Sequence, residues 1–282
     1  MHKCLGALLI LILGLFGSSC SVERSIARKF VNDRKPGAVL LIAPDYIYKD
    51  SYKVPEIKDF DKLSDWEKDS LAFEESTVIK FCNDSMFSAA FLNALDTGLM
   101  AFGFDVYHTP ELFLSGKKDT SYILNFAQIQ LEEFYESLSD DVVYDDTTKA
   151  DLNFWVTAIN INNWLEISRL NNGDKPQLLF SNYTIYDDVV GDFKFFPFLG
   201  EYLYDYKVDS LNVEKLYSAA KSLGYEFSYW LYDYMLNDYV SRNMPEGRVP
   251  KHKFIFDTEF RWLRKQTYDP FILMDQEEAV QE

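Results

Sequence analysis

Few side chains in this 282-residue chain are placed to do chemistry, and the most informative is the thiol of Cys20. It closes a cationic start, Met1-His2-Lys3, an apolar core from Leu5 to Phe16, and the small residues Gly17-Ser18-Ser19. That order reads as a lipoprotein signal, cut so that an acylated Cys20 becomes the first residue of the mature chain. Gly17 stands where the commonest form of the motif has Leu, and Ser21 rather than Asp after the cysteine points to the outer membrane under the enterobacterial sorting rule. The rival readings are an ordinary secretory signal and an uncleaved anchor; the second is the weaker, because a spanning helix needs roughly 20 apolar residues. Acyl chains contribute about 0.8 kcal/mol per buried methylene, so a multiply acylated Cys20 would fix the protein to a membrane.

The remaining reactive groups form no known catalytic pattern. Cys4 leaves with the signal and Cys82 stands alone, so no intrachain disulfide can form, and a lone cysteine reads as a small buried hydrophobe. His2 is in the signal, leaving His108 and His252, too few for a histidine zinc site, and no HExxH, paired CxxC, GxSxG or phosphate-cradling glycine loop occurs. His108 and Glu111 flank Pro110 after an expected strand, where surface placement is the simpler reading. Carboxylates recur at Asp140, Asp141, Asp145, Asp146, Asp187, Asp188 and Asp192, but none follows a calcium-loop pattern. A glycosidase pair would need only proximity in space. No catalytic residue, metal ligand or cofactor is assigned.

Aromatic and basic residues offer a binding surface instead. Tyr202, Tyr204, Tyr206, Tyr225, Tyr229, Tyr232, Tyr234 and Tyr239 gather with Trp230 near a C-terminal helix; such rings bind sugars or proteins when exposed and pack a core when they follow helical spacing. Arg242 to Lys265 carries seven basic and three acidic residues, a local excess of four (7 minus 3) in a chain of net charge −17. Tyr229, Trp230, Tyr232, Arg261 and Arg264 are therefore the candidate partner or ligand face. The overall charge excludes nucleic acid as a partner, since phosphate binding needs a basic surface. The expected partners are the membrane, through the N-terminal lipid, and an envelope protein.

Removing residues 1–19 leaves 263 residues (282 minus 19), and 48% hydrophobic with 17% aromatic content predicts an ordered core. Residues 20–36 read as a lipidated, solvated tether, 37–270 as a single α+β domain, and 271–282 as a flexible acidic tail. Gly37 to Pro44 is an apolar run fit for a buried strand. Ser64-Asp65-Trp66-Glu67 matches a capping box, opening a short helix to about Glu74. Phe87, Phe91, Leu95, Leu99 and Phe102 predict a helix over about 84–102, capped by Asp84 or Ser85, ended by Gly103, and thinned by Ala89, Ala90, Ala94 and Gly98 to lie close on a sheet. Phe104 to Tyr107 is the next strand.

From Tyr122 the period becomes two. A second strand runs from Leu152, whose apolar parity changes between Ala158 and Ile159, predicting a bulge or burial on both sides. Gln177 to Asp187 returns antiparallel, completing a long hairpin in a mixed or mainly antiparallel sheet. A second main helix spans about 212–241, with Gly224 as a close-contact or kink point, and Asp257 to Lys265 is a last amphipathic piece.

This order of elements, from strand Ala38 to Ile42 through helix Phe87 to Phe102 and Gly103-Phe104-Asp105-Val106 to the final helix, resembles the anticodon-binding-like α/β domains of envelope accessory lipoproteins, such as activators of penicillin-binding proteins and curli secretion lipoproteins. It covers roughly Gly37 to Val240 as a pattern, departs at the charged insertion Asp50 to Ser76, and carries over no functional residue. The chain is also similar to uncharacterised Bacteroidota envelope lipoproteins. The resemblance implies a non-enzymatic, membrane-anchored accessory or adaptor protein; the alternatives are a glycan-binding lipoprotein with exposed, coplanar aromatics and a hydrolase with paired carboxylates in a closed cleft.

Overall fold

The computed structural model describes residues 22–32, 37–54, 60–116, 121–144, 147–170 and 175–274, with side chains of 142–144 and 147–151 left aside. The signal and Cys20 lie outside these residues. The fold is α+β, with a mixed seven-stranded sheet and two main helices, as the patterning predicts. Contacts gather the described residues into two compact units, those within 37–228 with 270–274, and 22–32 with 229–269.

In the larger unit the apolar run becomes β1 (Ala38–Ile42), which is parallel to both of its neighbours, β3 (Asp105–Tyr107) and β4 (Ser121–Tyr144). Between β1 and β3 come β2 (Tyr48–Ser51), α2 (Asp65–Glu75) and α3 (Asp84–Ala101). The backbone N–H of Ser64 donates to Glu67 at 3.0 Å, as the capping box requires. Asn83, rather than Asp84 or Ser85, caps α3, its side-chain oxygen accepting from Met86 N at 3.1 Å. Gly103 (φ 89°) ends the helix, and Phe104 N closes back on Leu99 O at 3.1 Å. Pro110 starts a helix that the sequence did not announce, α4 (Pro110–Gly116), its fixed φ and missing N–H suiting the first turn.

The strand expected from Leu152 is β5 (Thr147–Arg169), and besides the hairpin expected with Gln177–Asp187 it forms a longer one with β4, because Asp140 and Asp141 continue the strand instead of turning. β6 (Gln177–Tyr186) adds antiparallel to β5, and β11 (Ile272–Met274) to β6. The tail expected from 271 therefore begins with a paired strand, and residues 275–282 lie outside the described ones. The parity change in β5 reflects burial on both sides and not a bulge there. Phe154 meets the separate hairpin of β7 (Asp188–Phe196) and β8 (Glu201–Asp209), through Tyr204 and Tyr206, whereas buried Ile159, Ile161, Leu165 and Ile167 line the opposite face. The register shift near the middle of the sheet falls in β4, between Phe126 and Gln128.

That opposite face carries the core. Rings of Phe91 (α3), Phe126 (β4), Phe227 on α5 (Val213–Arg242) and Phe271 meet with centroids 5.2–5.7 Å apart. The small residues of α3 serve the other helix more than the sheet. A Cβ on Gly224 would lie 2.2 Å from the carbonyl oxygen of Phe91 and 3.0 Å from Ala94 Cβ, and one on Gly98 would lie 2.0 Å from Ser228 Oγ. Ala89 is exposed.

In the smaller unit the expected tether is a helix, α1 (Val22–Asn32). Its charges mask an apolar face: buried Ala27, with Ile26, Phe30 and Val31, packs in a core of Leu236, Val240, Phe254 and Leu263. Glu23 accepts from Lys251 N at 2.6 Å, and Arg24 donates to Leu263 O at 2.7 Å. The Asp257–Lys265 piece is an antiparallel hairpin of β9 (Phe254–Asp257) and β10 (Trp262–Lys265), turned by Arg261 at φ 53°.

Because the obstacle at Gly224 is backbone, Gly224→Ala should destabilise the larger unit by about 2 kcal/mol or more, in the range of overpacked cores. Urea unfolding against the exposed control Lys221→Ala checks this, and equal midpoints would contradict the close crossing.

Candidate functional site

The larger unit's edge strand β2 is held by a buried ion pair. Ser51 pairs with Glu133 in the parallel ladder, and Tyr52 N donates to Glu133 O at 2.8 Å, so the next side chain, Lys53, turns beneath the sheet. Lys53 Nζ lies 2.6 Å from Glu133 Oε1, donates to Thr77 Oγ1 at 3.0 Å and to Thr157 Oγ1 at 3.1 Å, and sits 4.6 Å from the centre of the Tyr135 ring. The two side chains are 1% and 0% exposed. Glu133 also accepts from Thr77 N (2.7 Å), Thr77 Oγ1 (2.8 Å), Val78 N (3.0 Å) and Ile79 N (2.9 Å). Burial pushes its pKa up, but Lys53 and the Ile79 and Thr77 amides outweigh that and hold the carboxyl below its usual range. With five donors on one carboxylate, no acceptor is left for a substrate. The pair is a clamp.

The clamp fixes β2 beside a polar strip on the sheet face that points away from α3 and α5. Register partners share a face, and two cross-strand rows result: Tyr48, Gln130, Asn162, Asn182 and Asp50, Glu132, Asn160, Thr184. A third row, Gln128, Trp164, Phe180 and Ile272, borders them with apolar side chains. Hydrogen bonds knit the strip: Gln130 Nε2 to Asp50 at 2.7 Å, Asn182 Nδ2 to Asn162 Oδ1 at 2.6 Å, Thr184 Oγ1 to Asn160 Oδ1 at 2.7 Å, and Asn160 Nδ2 to Glu132 at 3.3 Å. Asn162, at its centre, is 6% exposed. Tyr52 stands at the rim, its phenol pushed up by burial and by the charges of Glu132 and Asp50. Among the described residues no lysine or arginine forms an ion pair with either carboxylate.

This arrangement suits binding more than bond breaking. Asp50 and Glu132 are register partners, but Asp50 is exposed on an edge strand, not in a closed cleft. The amide rows present donors and acceptors at the ~4.8 Å spacing of neighbouring strands, and the uncompensated carboxylates repel anions. The strip was missed in the sequence because its residues come from four segments. The only signal was polar residues alternating along each strand.

The structure does not gather the sequence-derived candidates into one free face. Tyr232 is buried in the smaller unit, its ring 5.4 Å from Phe30 and 5.8 Å from Phe256, and burial raises its phenol pKa. Tyr229 is exposed and Trp230 half-buried. Arg264 pairs with Asp257, and Arg261 occupies the β9–β10 turn. Buried Tyr232 follows the packing that helical spacing predicts and leaves the candidate face, because its place on the inward stripe of α5 overrides its polar tip.

Other candidates are structural. Burial pushes the Cys82 thiol up to about 11, leaving it unreactive near neutrality. His108 Nε2 lies 2.8 Å from Asp96 Oδ2 on the surface. Asp187 accepts from Thr157 N (2.8 Å) and Leu211 N (2.6 Å), tying β5 to the start of α5. In the smaller unit, burial lifts Asp233 to about 7 against the opposing N–H of Phe256. Among the described residues no three His, Cys, Asp or Glu side chains are grouped to hold a metal. The sequence matches no protein-family model and no curated protein sequence.

Lys53→Met or Glu133→Leu should each destabilise by about 3–5 kcal/mol by stranding a buried charge, while the double variant costs less than the sum. Since Glu133 titrates below its unfolded value of about 4.3, its stabilisation is present above that pH and lost as pH falls through the folded pKa. Urea midpoints measured from neutral pH to pH 3 should therefore show a steeper acid loss in the wild type than in the double variant; parallel curves would contradict the clamp.

Proposed function

We propose that this protein is a bacterial envelope lipoprotein, anchored through acylated Cys20 and acting as a non-enzymatic accessory or adaptor for another envelope protein. The observation that carries the adaptor part is the polar strip of Gln130, Asn160, Asn182 and Thr184 around buried Asn162, flanked by exposed Tyr48 and Tyr52. It is a hydrogen-bonded face that offers side-chain amides to a partner's polar groups beside exposed tyrosines, a residue type enriched at interfaces. The signal ending at Cys20 supports the anchor, and Ser21 supports an outer-membrane destination. Among the described residues no helix is long and apolar enough to cross a membrane.

A second reading, glycan binding, draws on the same strip, since side-chain amides beside Trp164 and Phe180 suit sugar hydroxyls and ring faces. The Trp164 and Phe180 planes are inclined by 50°, and those of Tyr46 and Tyr48 by 58°, so neither pair is the coplanar platform that reading predicts.

A photo-crosslinking residue placed at Asn182 or Tyr48 in intact cells should capture one envelope protein, and Asp50→Arg should abolish capture. The same label at exposed Val249 of the smaller unit should capture none. Equal capture from 249, or no protein adduct from the strip, would sink the adaptor reading; specific retention on a glycan array would then favour the second.

A further inference from the structure

The β7–β8 hairpin ends in an uncharged apolar tip, Phe195-Phe196-Pro197-Phe198-Leu199-Gly200. The tip is ordered: Phe196 O accepts from Leu199 N at 3.0 Å and Gly200 N at 2.9 Å, with Pro197 entering the turn and Gly200 leaving it at φ 68°. Proline and a left-handed glycine are the residues such a turn asks for. Phe198, between them, is 104% exposed, with Leu199 also exposed and Phe195 and Phe196 at 52% and 41%. Nothing lies within 4 Å of a Cβ built on Gly200. The turn therefore holds a large apolar side chain in water at a hairpin end, where no fold requirement places it.

We infer that this tip dips into the interfacial region of a lipid bilayer. The inference rests on the reading that Cys20 anchors the chain, which brings a membrane within reach. The three exposed rings amount to roughly two free phenylalanines, on the order of 400 Å2, and the apolar interior of a bilayer accepts side chains one at a time. Charge favours lipid. The tip carries none, and immediately behind it Glu201 and the Lys194–Asp205 ion pair form a collar that would stop at the headgroups. With a net charge of −17 the chain is repelled by anionic lipid, so zwitterionic phosphatidylcholine is the surface expected to take the tip.

The test uses the mature acylated chain in phosphatidylcholine vesicles, with an environment-sensitive fluorophore on Phe198→Cys and, as control, on Val249→Cys. Acylation blocks Cys20, and Cys82 is buried. The label at 198 should shift to the blue and be quenched by brominated acyl chains, while the label at 249 should do neither. On the Cys20→Ser chain added to vesicles, Phe198→Ser should weaken binding about tenfold, the effect of one buried ring. An unshifted 198 label with the chain anchored overturns the inference, as does a shift that appears only when an envelope protein is added, which would make the tip a protein anchor. The mass of the N-terminal peptide reads Cys20 acylation separately. If it is absent, the anchor reading fails, while the Cys20→Ser measurement still decides the tip.

Discussion

The structure of the larger unit turns on one buried ion pair. Lys53 and Glu133 are both out of water, and either alone would be an uncompensated charge in the interior. Together they tie three stretches, the end of β2, the Thr77–Ile79 turn, and the paired strands β4 and β5, beside the β2–β4 ladder and the Lys49–Asp84 pair. β2 is only four residues long and reads Tyr-Lys-Asp-Ser, too polar and too short to hold an edge by burial. The clamp at its end keeps Tyr48, Asp50 and Tyr52 beside the polar strip. A polar face built on an exposed edge thus borrows its rigidity from a charge pair beneath it.

The long hairpin serves two cores at once. Near its base β5 gives Ile159, Ile161 and Leu165 to the side where the rings of Phe91, Phe126 and Phe227 meet; farther out, Phe154 turns the other way to meet Tyr204 and Tyr206. The polar strip lies where that second face is left uncovered, between the α4 cluster around Ala38, Leu40 and Phe113 and the aromatic contact with β8. Its position follows from where the covering elements stop. The repulsion of anions and the amide-rich chemistry follow from what is left exposed.

Much of the fold was legible because hydrophobic period is a local signal. The two main helices, β1, the capping box and the glycine stop at Gly103 all rest on residues close in sequence. What failed rests on tertiary choices. The charged residues of α1 read as a solvated linker because Ile26, Ala27, Phe30 and Val31 gain meaning only once Leu236 and Val240 are there to receive them. Gly224 reads as a close-contact or kink point, but nothing local names its partner, the Phe91 carbonyl. The tyrosines fit an outer face as well as a packed one because a phenol suits both water and core, and burial of Tyr232 depends on which stripe of α5 faces Phe30 and Phe256. The strip itself assembles residues from positions 48 to 184, and no spacing along the chain announces it.

A partner seated on the polar strip, as proposed, would shield the backbone amides of the strands beneath it. Hydrogen exchange of the chain, compared between native envelope membranes and the purified protein, tests it most directly. Membrane-specific slowing of exchange is expected in peptides covering Tyr48–Val54 and Ser181–Tyr186, with peptides covering Phe254–Lys265 unchanged. No slowing in the two strip segments, or slowing confined to Phe254–Lys265, would contradict it.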